Sequence, residues 1–357
     1  MRSRTVSIGL IADPGLPEAL ADSVAEHLRQ DLSGHLDSSV EWKVEVSEET
    51  LPLTADGDIP LLEQAPRLRA DHHWDYVFYL TDLPRSHDQQ PLACELGSCA
   101  RAALISLPAL GAFRLTARIR ALVLALIVSA DERSQDFPSM PAIRRAIGSK
   151  AVRRELACAS GEAAYVTLPG RVNRWRLLTG MVRNNRPWEL LRALTSCVAA
   201  ATATGAFGIF YASIWTMANA LHPVRLALIS LAVIVALSAW LITHNGLWTA
   251  SRSLAIPGQA RLDNASTAAT VIIGVAVMYV VLFLVLLCAA AVIISADYLR
   301  SQVGHPAGLL DYIRLSWLAA SLGCLAGALG SNFDSDEAIR EATYSRRAHR
   351  RRQLADS

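Results

Sequence analysis

The sequence predicts a two-part chain: an N-terminal α/β domain, a three-layer sandwich on a mainly parallel sheet, followed by an all-α transmembrane domain of four helices. Three observations carry this. Strand-like and helix-like apolar patterns alternate through residues 1–170. From Ala193 to Phe333 only eight side chains are charged: Arg225, Arg252, Arg261, Asp263, Asp297, Arg300, Asp311 and Arg314. Charge is also divided along the chain. Residues 1–170 hold 17 Lys+Arg against 23 Asp+Glu, net −6, and residues 171–357 hold 17 against 9, net +8. An acidic front and an Arg-rich back fit a water-exposed domain joined to spans with basic flanks, and argue against a nucleic-acid partner. The expected divisions are 1–170 (α/β), 171–192 (Arg-rich interfacial linker), 193–333 (four spans) and 334–357 (basic tail).

Within the first part, Thr5 to Ala12 reads as a buried strand, too short to serve as a signal peptide and ended by Asp13-Pro14-Gly15. Leu16, Leu20, Val24 and Leu28 recur at helical spacing. Val40, Trp42, Val44 and Val46 alternate with polar residues as a strand does. A weaker helix over 58–70, strands over 74–80, 92–95 and 102–107, a helix over 142–157 and a last strand over 164–168 follow. The uncharged run 121–130 ends a helix that starts at Phe113. Ten residues rise about 15 Å, half of a hydrocarbon core of about 30 Å, so this run belongs to the α/β core.

Arg171 to Arg192 sets six arginines against the single Glu189. Arg174, Arg176, Arg183, Arg186 and Trp188 are the expected lipid-interface residues of an amphipathic helix. A basic flank with no further duty fits the same composition. Four apolar blocks come next, within 193–224, 226–251, 264–296 and 315–333, the last open to an earlier start with Arg314 reaching back to the interface. Each supplies the roughly 20 residues of a spanning helix. Trp188, Trp215, Trp240, Trp248 and Trp317 mark block ends as an aromatic belt does. Four spans place the N-flank, the middle loop and the tail on one side, which collects fourteen arginines against three opposite. The expected location is therefore a cell (inner) membrane, multi-pass, with both termini cytoplasmic. Asp334 and Glu337 fit a capping box, which predicts a tail helix from Ser335 to about Arg351. Its basic cluster fits either an anionic-lipid contact or a solvated tail.

Little in the sequence carries chemistry. Ligands of open α/β sheets bind beyond the carboxyl ends of strands, so Asp13, Thr81, Asp82 and Ser106 are the candidate ligand-binding residues. Helix capping by Asp13 and a turn at Thr81-Asp82 account for the same residues. No GxGxxG follows the first strand, no GxSxG elbow is present and only Lys43 and Lys150 are lysines. Cys94 and Cys99 form C-x4-C without a second pair at zinc spacing. No catalytic residue, metal or cofactor is assigned. The span interiors hold no charged residue, which disfavours ion coupling. Small residues Gly205, Gly208, Gly323 and Gly327 recur at four-residue spacing with Ala201, Thr204 and Ala319. They suit close helix packing, within one chain or in a homodimer.

Tyr79-Leu80-Thr81-Asp82-Leu83-Pro84, Leu104-Ile105-Ser106-Leu107-Pro108-Ala109-Leu110-Gly111, Gly180-Met181-Val182-Arg183-Asn184-Asn185-Arg186-Pro187-Trp188 and the Ser335-Asp336-Glu337 tail resemble a family of uncharacterised bacterial integral membrane proteins. The resemblance covers nearly the whole chain. It implies an N-terminal α/β cytoplasmic domain and four C-terminal transmembrane helices. Some members bear a folate-dehydrogenase label, which the missing glycine fingerprint and the two lysines do not support. Three functions follow as expectations: a membrane protein whose α/β domain binds a small ligand or protein partner, a membrane-anchored enzyme using Asp13 and Asp82, or a transporter of a neutral or apolar substrate.

Overall fold

The computed structural model describes residues 4–35, 40–47, 50–54, 58–97, 101–131, 140–156, 163–248 and 259–344. Cys99, Cys158, Arg252 and the tail arginines from Arg346 onward lie outside the described residues. The chain divides into two compact units. One is carried by Met1–Asn184 with Ser251–Leu262 and Tyr344–Ser357, the other by Asn185–Ala250 with Asp263–Thr343.

In the first unit the elements are β1 (Arg4–Ala12), α1 (Leu16–His35), β2 (Val40–Ser47), α2 (Leu61–His72), β3 (Tyr76–Thr81), β4 (Ser86–His87), β5 (Gln90–Leu96), β6 (Ala102–Ser106), α3 (Leu107–Leu110), α4 (Leu115–Asp131), α5 (Met140–Ile147), β7 (Arg153–Leu156), β8 (Ala164–Thr167) and α6 (Arg171–Asn184). The strand order is β2-β1-β3-β6-β5-β8-β7, with β4 on β5. β2, β1, β3 and β6 are parallel, while the pairs β5–β6, β5–β8, β7–β8 and β4–β5 are antiparallel. Followed across the sheet, six of the eight described strands point one way and β5 and β7 the other. The mixed sheet thus keeps a parallel half of the kind the sequence predicts.

Both faces of that half are buried, which is why its strands read as continuous apolar runs. Ile8, Leu10, Phe78, Leu80 and Ile105 pack with Val24, Leu28 and Leu32 of α1 and Leu122, Val123, Leu126 and Ile127 of α4. Ile11, Val77, Tyr79 and Leu104 face the other way, onto Leu61, Ala65 and Leu68 of α2. Helices on both faces make three layers. Leu122, Val123, Leu126 and Ile127 of the uncharged run are therefore core, as its length requires.

Two stretches differ from expectation: the polar stretch 85–90 contributes the two-residue strand β4, and one helix ends early. The helix predicted over 142–157 stops at Ile147, and Arg153–Leu156 form β7. Gly148 adopts a left-handed conformation, φ +68, and its N–H donates to the carbonyls of Arg144 (2.9 Å) and Arg145 (3.1 Å). That geometry closes a helix rather than extending it.

The second unit is helical: α7 (Leu190–Ala193), α8 (Thr195–Phe210), α9 (Ala212–Ala220), α10 (Pro223–His244), the main length of α11 (Gln259–Ile293), α12 (Ala296–Val303), α13 (Leu309–Gly330) and α14 (Asp336–Thr343). Among the described residues, three helices, α10, α11 and α13 with its extension to Phe333, are long and apolar enough to cross a membrane. The number rises to four if a bent pair ending in α8 counts as one span. Only 33% of the apolar window of α10 and 39% of that of α11 are buried. Leu228, Leu231 and Val235 of α10 and Val280, Leu284 and Val285 of α11 stand exposed. An apolar surface this continuous is foreign to water and native to hydrocarbon, where a helix satisfies its own backbone.

The first expected span is interrupted. α8 ends at Phe210, Tyr211 is extended (φ −95, ψ 109), and α9 resumes at Ala212. At the break the Trp215 indole N–H donates to the Ile209 carbonyl (3.1 Å). Such a partner is needed wherever a helix is broken inside an apolar medium. The helix of the fourth expected block starts at Leu309, ahead of its charge-free stretch, and Asp311 accepts from the Gly308 N–H (2.8 Å) in the first turn.

Asp334 also departs from expectation. Instead of capping the tail helix, its carboxylate accepts from the N–H groups of Ser196 (2.7 Å) and Cys197 (3.0 Å), at the start of α8. An anion there answers orphan amides and the positive helix end together. Ser335 caps α14 instead, accepting from the Ala338 N–H (3.4 Å).

Candidate functional site

The parallel register brings the four candidate residues to one edge. Ala12 pairs with Leu80 and Thr81 with Ser106, so Asp13, Thr81, Asp82 and Ser106 sit at the carboxyl ends of β1, β3 and β6. Strand alternation turns Asp13, Tyr79, Thr81 and Ser106 to the face that α2 covers. Asp13 accepts from the Tyr79 hydroxyl at Oδ1 (2.7 Å) and from the Thr81 hydroxyl at Oδ2 (2.6 Å). The Leu83 N–H donates to Thr81 Oγ1 (3.1 Å), and the Ser106 hydroxyl donates to the Leu83 carbonyl (2.8 Å). The Asn184 amide reaches the Asp82 carbonyl at 3.5 Å.

Asp13, Thr81 and Ser106 thus join one network with the Thr81–Leu83 turn, and Asp82 takes part through its backbone. The four are buried, Asp13 completely at 0% exposure. Both carboxylate oxygens of Asp13 are occupied by hydroxyl donors. What this arrangement does well is fix a turn, since charge-assisted bonds in a dry setting are stiff and strong. Sequence reasoning located the four but missed Tyr79 and Asn184. An aromatic residue inside a strand gives no sign that its hydroxyl has polar work, and Asn184 lies 102 positions from its partner.

A second cluster lies where α6 packs on α3 and the loop beyond it. Gly180 allows this contact, because a Cβ there would stand 2.2 Å from the Pro108 carbonyl oxygen. Arg176 donates through Nε to the Leu110 carbonyl (3.1 Å) and through a terminal nitrogen to the Ile147 carbonyl. Arg118 also donates to the Leu110 carbonyl. Arg183 donates to the Ala112 carbonyl (2.7 Å). These guanidinium groups thus close the carboxyl ends of α3 and α5, where carbonyls lack partners. Burial, then the neighbouring Arg118 charge, pushes Arg176 down to about 10, and burial, then Arg114, lowers Arg118. Burial lowers Arg183 too. All three stay charged at neutral pH. Of the other predicted interface residues, Arg174 and Trp188 are exposed, and Arg186 pairs with Glu189 (3.1 Å).

His87, Asp88 and Glu155 offer metal-type atoms within 4.8 Å of one another. His87 lies 3.5 Å from Glu155 and 3.9 Å from Asp88, and Arg153 lies 3.8 Å from the same Glu155. Asp88 is 84% exposed and Glu155 already has Arg153 as a cationic neighbour, so the cluster reads as polar contacts at a strand edge. Cys94 is fully buried, and burial raises its thiol far above the ordinary range, so it is no nucleophile at neutral pH.

The second unit holds a polar knot that the sequence did not reveal. Ser230 of α10, Tyr279 of α11 and Trp317 and Ser321 of α13 meet in its interior. The Tyr279 hydroxyl lies 2.8 Å from both Ser230 Oγ and Ser321 Oγ, and the Trp317 indole N–H donates to Ser230 Oγ (2.6 Å). Thr202 and Thr216 bond their own helix carbonyls, as expected of hydroxyls in spans. Of the predicted packing glycines, Gly208, Gly323 and Gly327 line the α8–α13 pair, and Gly205 also meets α11. A Cβ on Gly323 would fall 2.4 Å from the Ala201 carbonyl oxygen, and one on Gly208 would fall 2.7 Å from Ala319 Cβ. Gly327 faces Cys197, and Gly205 faces Leu286 and Ala319. These contacts run within one chain.

No family model, curated protein or solved structure matches the chain. The motif resemblance therefore gains no support from these comparisons, and what stands is the architecture: an α/β unit followed, among the described residues, by three helices, up to four, long and apolar enough to cross a membrane.

Proposed function

We propose that the chain is a multi-pass protein of a cell (inner) membrane with both termini in the cytoplasm. On this reading its α/β unit is a ligand-binding or regulatory module, not a catalyst. The supporting observation is Asp13, fully buried and with both oxygens taken by Tyr79 and Thr81. A general base or nucleophile must reach substrate, and this carboxylate is committed to a turn. The orientation is supported by the fourteen-to-three arginine bias.

The test is a thermal-shift screen of the full-length protein in detergent against nucleotides, small metabolites and soluble headgroup analogues. A ligand at a hundred times its Kd adds about 2.7 kcal/mol, a rise in Tm of about 5 °C or more for a unit of this size. A screen in which nothing shifts the unfolding of the α/β unit contradicts the binding-module reading. Turnover of any of these compounds, abolished by Asp13→Asn, contradicts the non-catalytic one.

A further inference from the structure

We infer that the α6 edge of the α/β unit, built from Arg114, Arg118, Arg171, Arg174, Arg176 and Arg183 with Phe113, Val172 and Trp175, is a docking surface for anionic phospholipid. This rests on the reading above that the chain resides in a bilayer.

The first observation is uncompensated charge. Residues 107–120 and 171–184 contain seven arginines and no Asp or Glu. Arg120 pairs with Asp31 (2.5 Å). The other six make no ion pair among the described residues. Arg118, Arg176 and Arg183 are half-buried and spend some of their N–H groups on the carbonyls of Leu110, Ile147 and Ala112. Carbonyl dipoles orient a guanidinium but do not neutralise it. Each side chain has five N–H donors, so further donors remain. Arg118 and Arg176 share the Leu110 carbonyl, which holds two like charges side by side. A bound phosphate is the group that relieves this, because its oxygens match the fork geometry of arginine.

The second observation is independent of charge. Among the described residues of the α/β unit, the exposed large apolar side chains are Val46, Phe113, Val172 and Trp175. Three of the four belong to this edge, at 78%, 81% and 68% exposure, whereas Val46 is at 38%. Val172 and Trp175 are one turn apart on α6, and Phe113 adjoins the residue whose carbonyl Arg183 holds. Indole and phenyl rings beside arginines suit the headgroup level of a bilayer, where one end is wet and the other apolar. The covalent path supports the same occupant. α6 ends at Asn184, and the apolar helices of the second unit follow in the chain. A surface this close in sequence to membrane spans meets lipid at high local concentration.

The experiment uses full-length protein in nanodiscs whose spin-labelled lipid is either phosphatidylglycerol or phosphatidylcholine. The Trp175 signal is the difference between wild type and Trp175→Phe. The expected result is quenching at least about twofold stronger from the anionic label, reduced by salt because surface charge is screened. The exposed pair Arg171→Gln and Arg174→Gln, which leaves the carbonyl-capping arginines intact, erases the preference while the protein still elutes as a folded nanodisc complex. Equal quenching by both lipids overturns headgroup recognition, and no quenching by either overturns docking and leaves the surface to a protein partner. Displacement of the labelled lipid by inorganic phosphate alone overturns the lipid as the source of the anion. Failure to enter nanodiscs at all instead strikes the membrane reading beneath the inference, so the two failures are separable.

Discussion

Asp13→Ala is expected to destabilise the α/β unit by about 2–6 kcal/mol, because two buried hydroxyls lose their acceptor at about 1–3 kcal/mol each. The donors are Tyr79 at 2.7 Å and Thr81 at 2.6 Å, and Thr81 in turn holds the Leu83 N–H. Against a typical stability of about 5–15 kcal/mol this is a large fraction. In thermal unfolding followed by near-UV circular dichroism, Tm should fall by about 5–20 °C. Asp13→Asn, which keeps the shape and one acceptor oxygen, should cost less than Asp13→Ala. The sign separates structure from catalysis. A carboxylate kept for chemistry is commonly held at the expense of stability, so its removal leaves Tm unchanged or higher. An Asp13→Ala protein as stable as wild type would return the strand-end edge to the list of active-site candidates.

Gly323→Val is expected to cost about 3 kcal/mol or more, at the upper end of overpacking penalties, because the atom in the way is backbone. A Cβ at Gly323 meets the Ala201 carbonyl oxygen at 2.4 Å, and no rotamer change moves a carbonyl within an intact α8. α8 and α13 would have to separate, and with them the contacts of Gly208 and Gly327. Gly327→Ala is the internal control. Its Cβ would meet the Cys197 carbonyl oxygen and Sγ at 3.1 Å, tight but tolerable with a small shift. The order of loss, Gly323→Val far above Gly327→Ala, can be read from unfolding in detergent. If the two were equal and mild, α8 and α13 would not approach each other this closely.

The readable parts of the sequence were those whose physics is local. Parallel strands buried on both faces, such as Tyr76–Thr81, are apolar throughout and declare themselves. The parallel strand pattern likewise put Asp13, Thr81, Asp82 and Ser106 together at the carboxyl ends of β1, β3 and β6. What stayed hidden depended on partners distant in sequence. Asp334 fitted a cap for the helix beside it, yet it caps α8, more than a hundred positions earlier. Tyr279 sits in an uninterrupted apolar run, and nothing there signals the serines on α10 and α13 that its hydroxyl meets. The break at Tyr211 is equally silent, because residues on both sides are as apolar as a continuous span requires. Arg153-Arg154-Glu155 shows too little alternation of polar and apolar residues to mark a strand, and β7 gains its place by pairing with β8.

The surroundings of the second unit decide the whole account, and Leu284 reports on them most directly. It stands 50% exposed on α11, the longest apolar helix. A nitroxide attached to Leu284→Cys in reconstituted vesicles should be relaxed strongly by molecular oxygen, which concentrates in hydrocarbon, and weakly by a water-soluble nickel chelate. The reverse pattern, strong relaxation by the nickel chelate and weak relaxation by oxygen, would place that face in water and contradict the membrane reading.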